Sequence, residues 1–147
     1  MKHSLLITLL YLFAYTPFQA MAQSHADVEK VWYNTKKTAK ISIYKNGNTY
    51  EGKIVWLKNP KNEEGKDKVD KHNPDRSLQQ RPIFGLVLLK GFKADGTKGF
   101  SGGKIYDPEN GKSYSCKMEL IDAKNLDVRG YIGISLLGRT EHWTAAE

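Results

Sequence analysis

Between Val28 and Thr144 apolar and polar residues alternate with a period of two, and turn residues break the alternation at intervals. Successive side chains of a strand point to opposite faces, so this pattern describes half-buried strands. No stretch has the length and period of a helix. In "KISIYKNGNTYEGKIVWL", Ile41 and Ile43 alternate with polar neighbours, Asn46-Gly47-Asn48 turns the chain, and a second strand runs from Thr49 to Leu57. Asn-Gly suits the positive φ of a tight hairpin turn. Further reversals are predicted at Asp95-Gly96, from Asp107 to Ser113 and from Asp122 to Asn125. Strands are thus expected to begin near residues 28, 40, 49, 82, 98, 112, 126 and 138. A meander of eight strands leaves two edges open to unwanted pairing, and closure hides both. The predicted fold class is therefore all-β, an eight-stranded antiparallel up-and-down barrel, with a two-sheet sandwich as the alternative.

The first residues, "MKHSLLITLLYLFAYTPFQAMAQ", combine Lys2, an apolar run from Leu5 to about Tyr15, and small residues at Ala20 and Ala22. This is the pattern of a signal peptide, residues 1–22, cleaved before Gln23. The apolar run is shorter than the roughly 20 residues of a membrane-spanning helix, so no transmembrane segment is expected after cleavage. The expected location is periplasmic or secreted. Residues 23–147 then form a single β-barrel domain that retains every charge except Lys2, a net +6. A basic surface favours anionic partners, such as an anionic envelope polymer, but without a basic cluster or motif nucleic acid is not expected.

Cys116 is the only cysteine. It lies in "SYSCKMEL" on the side of the alternation shared with Tyr114, Met118 and Leu120, which reads as a small buried hydrophobe. The exception to the strand pattern is the charged segment 58–81, a long loop that reads either as a lid over one barrel mouth or as solvated surface. Asp67, Asp70, His72, Asn73 and Asp75 give it oxygen-rich character, but Lys66, Lys68 and Lys71 interleave with them and would repel a cation. His25, His72 and His142 lack metal-ligand spacing, and no nucleophile elbow, P-loop or dinucleotide fingerprint is present. No metal, cofactor or catalytic residue is therefore expected, and the chain reads as a non-enzyme.

The stretches "YKNGNTYEGKIVWL", "DKHNPDRSLQQRPIFGLVLLKGF", "GGKIYDPENGKSYSCKMEL" and "VRGYIGISLLGRTEHW" resemble, in that order, domain-of-unknown-function family 2147 of small exported bacterial proteins. That resemblance implies export and a β-rich fold, and brings no activity with it. The chain also resembles lipocalin-like barrels, which open with Gly-x-Trp and carry an arginine on the final strand that packs across that tryptophan. By that resemblance Trp32 and Arg139 are structural, with the guanidinium lying over the indole to plug one end, and Lys30 stands where the glycine would be. An eight-stranded barrel is either filled by side chains or holds one small ligand. Trp56, Tyr106 and Tyr131 are candidates to line such a site, and Arg81 and Arg129 to meet a carboxylate or phosphate, although alternation also allows Arg129 on the outer wall. The functional expectation is a barrel binding a small amphipathic or anionic molecule. The alternative is an envelope interaction module with a packed core, contacting anionic glycan, lipid headgroups or protein through its basic surface.

Overall fold

A computed structural model describes residues 25–147; the expected signal peptide, residues 1–22, lies outside the described residues. Eight strands follow one another: β1 (Val31–Tyr33), β2 (Ala39–Asn46), β3 (Thr49–Leu57), β4 (Val87–Asp95), β5 (Gly99–Asp107), β6 (Lys112–Asp122), β7 (Asn125–Tyr131) and β8 (Gly138–Ala145). Each pairs antiparallel with the next, and β8 returns to β1 through Trp32↔Ala145 and Tyr33↔Thr144. The sheet is a closed up-and-down barrel. The expected strand starts agree with it except at β1 and β4. Residues 83–86 form a turn before β4, closed by a hydrogen bond from Leu86 N to Ile83 O (3.1 Å), with Gly85 at φ 82°.

The β2–β3 hairpin shows how the sequence writes its turns. Asn46 faces Thr49 across a two-residue loop, and Gly47 at φ 60° supplies the positive φ at the first central position that a type II′ turn requires. With β2–β3, β4–β5 and β6–β7 connected at one end, the connections 34–38, 58–86, 108–111 and 132–137 share the other.

The first of these ends is sealed. A turn over residues 25–30 seats Val28 beneath the barrel, and Trp32 Nε1 donates to Val28 O at 2.9 Å. Trp32, Phe92, Phe100 and Leu126 are fully buried above it, with Tyr50 edge-on to Phe100 at 4.9 Å. The expected arginine plug is not formed. Arg139 pairs with Gly130 near the start of β8, whereas Trp32 pairs with Ala145 near its end. Six residues of strand separate those positions, about 20 Å. The cation over Trp32 is Lys30, 5.6 Å from the ring centroid, and its Nζ donates to Ala123 O at 2.9 Å. Lys30, at the position of the lipocalin glycine, thus ties β1 to the β6–β7 turn.

Phe92 lies flat against the backbone of Gly103, where an added Cβ would overlap the ring. Because that ring is fully buried and rigid, it has nowhere to go. Gly103→Ala is expected to destabilise the barrel by about 1–3 kcal/mol, measured by urea unfolding. Arg139→Ala, by contrast, is expected to leave the unfolding free energy within about 0.5 kcal/mol of wild type. A larger loss in the same measurement would show that Arg139 supports the fold from the open end.

Candidate functional site

Above the sealed end the barrel interior is hollow. The cavity measures about 870 Å³ and opens between the connections at the other end. Ile41, Ile54, Leu88, Ile105, Val128 and Trp143 form apolar walls. Small residues make the space: Ala39 and Gly130 also face it, and a Cβ on Gly130 would meet only ordinary contacts at 3.6 Å from Ile105 and 3.8 Å from Tyr114. Polar groups gather at the mouth, including Arg139, Tyr114, Asp107, Glu109 and, from the long connection, Lys68 and Lys71, with Glu141 two places further in along β8.

Strand β8 delivers two of these. Trp143 is buried, and its alternate neighbours Glu141 and Arg139 face the same interior. Glu141 Oε2 accepts from Trp143 Nε1 at 3.1 Å, which satisfies the indole. Arg139 has no hydrogen-bond or ion-pair partner among the described residues.

The segment 58–81 is a folded strap. It opens with Lys58 N donating to Thr38 O (2.8 Å), and its two arms are joined by the bridges Lys61↔Asp67 and Val69↔Pro82. Its anchor is Asp70, which is fully buried. Tyr106 Oη donates to Asp70 Oδ1 at 2.6 Å, and Asn73 Nδ2 and Arg81 Nε donate to Oδ2, each at 2.8 Å. Arg81 Nη2 adds an ion pair at 2.7 Å. Burial pushes the Asp70 carboxyl up, but the hydrogen bonds from Tyr106, Asn73 and Arg81 and the guanidinium charge together hold it below its ordinary value. Burial and the neighbouring carboxylate raise the Tyr106 phenol. The β5–β6 turn closes on the strap as well, since a Cβ on Gly111 would overlap the His72 carbonyl.

Of the five residues expected to bind a ligand, only Tyr106 lines this cavity. Arg81 borders a second hollow of about 650 Å³ beside it, with Lys90 and Lys104, and its guanidinium is engaged by Asp70. Trp56 faces outward. Lys40 pairs with Trp56 and Ile41 with Ile54, so Val55 is the extra residue of a β-bulge that inverts the alternation beyond it. Trp56 instead stands edge-on to Tyr33 at 6.0 Å on the outer wall, and Leu57 takes the inward place. Arg129 is on the outer wall too, bonded to the β7–β8 connection through Ser135 O (2.7 Å) and Leu136 O (3.3 Å) and to its cross-strand partner Thr140 through Oγ1 (2.8 Å). Tyr131 is half-buried at the end of β7 and lines neither hollow. Glu141 was not among the expected residues and Arg139 was expected only as the plug; that the two face inward together was readable by counting back in twos from Trp143.

Cys116 is fully buried on β6, and burial, with the nearby Glu141 charge, pushes its thiol up to about 12. It is therefore protonated at neutral pH and unsuited to nucleophilic attack. No group of three or more His, Cys, Asp or Glu side chains among the described residues is placed to hold a metal ion.

A family model described as "Uncharacterized protein conserved in bacteria (DUF2147)" matches residues 31–145. Among solved structures the barrel is similar to protein HP1028 from the human pathogen Helicobacter pylori, which is described as belonging to the lipocalin family. The likeness has a TM-score of 0.71 over 82% of this chain and 83% of that one, at 18% sequence identity, and it concerns the fold. No curated protein matches the chain.

The Asp70 anchor is acid-sensitive. Because its folded pKa lies below the unfolded one, the stability it lends is complete above the ordinary carboxyl value of 3.8 and is lost as pH falls below that toward the folded value. Asp70→Asn is expected to cost about 1–3 kcal/mol at neutral pH and to flatten the acid limb of stability against pH, followed by urea unfolding from pH 7 to 2.5. An unchanged acid limb would show that other carboxylates govern it.

Proposed function

The chain belongs to the family of uncharacterized bacterial proteins DUF2147, and from its lipocalin-like barrel we propose that it is an exported, non-enzymatic protein that holds one small amphipathic molecule in the barrel cavity. The observation that carries this reading is the unpartnered Arg139 at the rim of an apolar hollow of about 870 Å³. That size falls within the range of small-molecule pockets, roughly 300–1,000 Å³. The ligand's apolar part lies against Ile41, Ile54, Ile105 and Val128, and its anionic group rises to Arg139, with Lys68 and Lys71 of the strap nearby. A guanidinium suits a carboxylate or phosphate because its planar fork donates two parallel hydrogen bonds. Glu141, two places further in on the same strand, disfavours an anion below the rim and sets the orientation. The alternative, an interaction module with a packed core, calls for an interior filled by side chains, and the hollow speaks against that arrangement. Export rests on the leader pattern of residues 1–22.

Dansyl-labelled undecanoic acid is a suitable probe, because its emission brightens and shifts to the blue out of water. Arg139→Glu is expected to weaken its binding roughly tenfold or more, the scale of one charge-assisted contact. Gly130→Leu is expected to narrow the hollow beside Ile105 and Tyr114 and weaken binding while the protein stays folded, since Gly130 is free of both positive φ and close neighbours. Saturable binding with affinity unchanged by both Gly130→Leu and Arg139→Glu would place the probe elsewhere and defeat the proposal.

A further inference from the structure

The connection between β7 and β8 is short and unusually apolar. Ile132, Ile134, Leu136 and Leu137 are 71%, 62%, 82% and 75% exposed, four large aliphatic side chains within six residues at the mouth of the barrel. Solvent-facing loops rarely carry such a group unless something covers it. Part of this loop's backbone is also satisfied within the protein. Leu137 N donates to Ile134 O at 3.1 Å in a single 3-10 turn, Ser135–Leu137. Arg129 reaches up the outer wall to Ser135 O and Leu136 O, so three successive carbonyls, those of Ile134, Ser135 and Leu136, accept hydrogen bonds from the protein. Backbone groups bonded in this way can enter a low-dielectric layer without a desolvation penalty for orphaned acceptors. Gly133 at φ 73° and Gly138, where a Cβ would crowd Gly130 O and Tyr131 Cβ, let the chain make the tight excursion.

Charge selects among the surfaces that could cover it. The connections 34–38, 58–86, 108–111 and 132–137 ring the mouth, and they hold nine lysines and arginines against six aspartates and glutamates. Of the net +6 on residues 25–147, +3 is therefore at this end. An apolar tip surrounded by net positive charge fits the headgroup layer of an anionic bilayer, where buried aliphatic area and attraction to anionic lipid act together. We propose that the 132–137 loop is a membrane-docking finger that seats the barrel mouth-down on anionic lipid. No helix among the described residues is long and apolar enough to cross a membrane, and docking of this kind needs none. The inference stands on the loop and its charge and is independent of what the cavity holds.

The buried Cys116 leaves an introduced surface cysteine as the site that labels. An environment-sensitive NBD group placed at Leu136→Cys reads the finger, and one at Asn48→Cys, in the turn at the sealed end, is its control. With vesicles of phosphatidylglycerol and phosphatidylethanolamine, the label at 136 is expected to brighten several-fold and shift to the blue, while the label at 48 keeps its aqueous emission. Phosphatidylcholine vesicles are expected to give a much weaker response. In the unlabelled chain the double variant Leu136→Ser, Leu137→Ser is expected to lower affinity for the anionic vesicles roughly tenfold, with an unchanged melting temperature. Aqueous emission at 136 in the presence of anionic vesicles would overturn the proposal, as would an equal response to neutral ones. A blue shift that grows with protein concentration without lipid would overturn it too, by making a second copy of the chain the occupant.

Discussion

Pairing of the first strand with the last turns a sheet into a container. The seam is short: β1 contributes three residues, and two of them, Trp32 and Tyr33, face partners on β8. Bonds on either side reinforce it. Ala146 N donates to Val31 O at 2.8 Å, Thr35 Oγ1 to His142 O at 3.0 Å, and the Lys30 ammonium reaches across to Ala123 O. Once the seam holds, no edge is left unpaired, and every inward side chain must either fill the interior or line it. Which it does follows from size. Trp32, Phe92 and Phe100 occupy the sealed end, whereas Ala39, Val128 and Gly130 face the other, so the taper in side-chain volume along the barrel axis leaves the cavity at the mouth.

The strands were legible because their cause is local. Alternation and turn residues act over a few positions, and β2, β3, β5, β6, β7 and β8 begin within a residue of where those signals end. The start of β4 was not legible, because "IFGL" has the composition of a strand yet is bent by Gly85 and held by Asp70 N donating to Arg81 O and Ile83 N to Lys68 O. Those bonds depend on a strap whose fold is fixed by Tyr106, distant in sequence. Trp56 failed for a related reason. A single bulge at Val55 changes the face of every later residue in β3, and nothing in "KIVWL" announces it.

The three arginines weighed as functional or structural separate on the same ground. Arg81, Arg129 and Arg139 are alike in charge and donor geometry, and the sequence offered no way to rank them except by resemblance, which assigned Arg139 to the wrong end. What ranks them is the set of acceptors within reach. Arg81 meets a buried carboxylate, so its guanidinium completes an ion pair that a ligand would have to break. Arg129 meets two carbonyls on the loop beyond its own strand and the Thr140 hydroxyl across from it on β8. Arg139 faces the hollow, and among the described residues it makes no hydrogen bond or ion pair, the Glu141 carboxylate on its own strand being engaged by the Trp143 indole.

Position along the barrel explains why such an arginine is tolerated. A guanidinium deep among Ile54 and Val128 would lose its hydration without compensation, at a cost of several kcal/mol. At the start of β8 it keeps contact with water while its strand neighbour two places on, Glu141, is turned toward the Trp143 indole. Hydration that is kept in the empty state is given up when an anion arrives, so the net gain from the new ion pair is modest, and most of the affinity must come from apolar area buried beneath it. The walls therefore set how tightly a molecule is held, and Arg139 sets which end of it faces out.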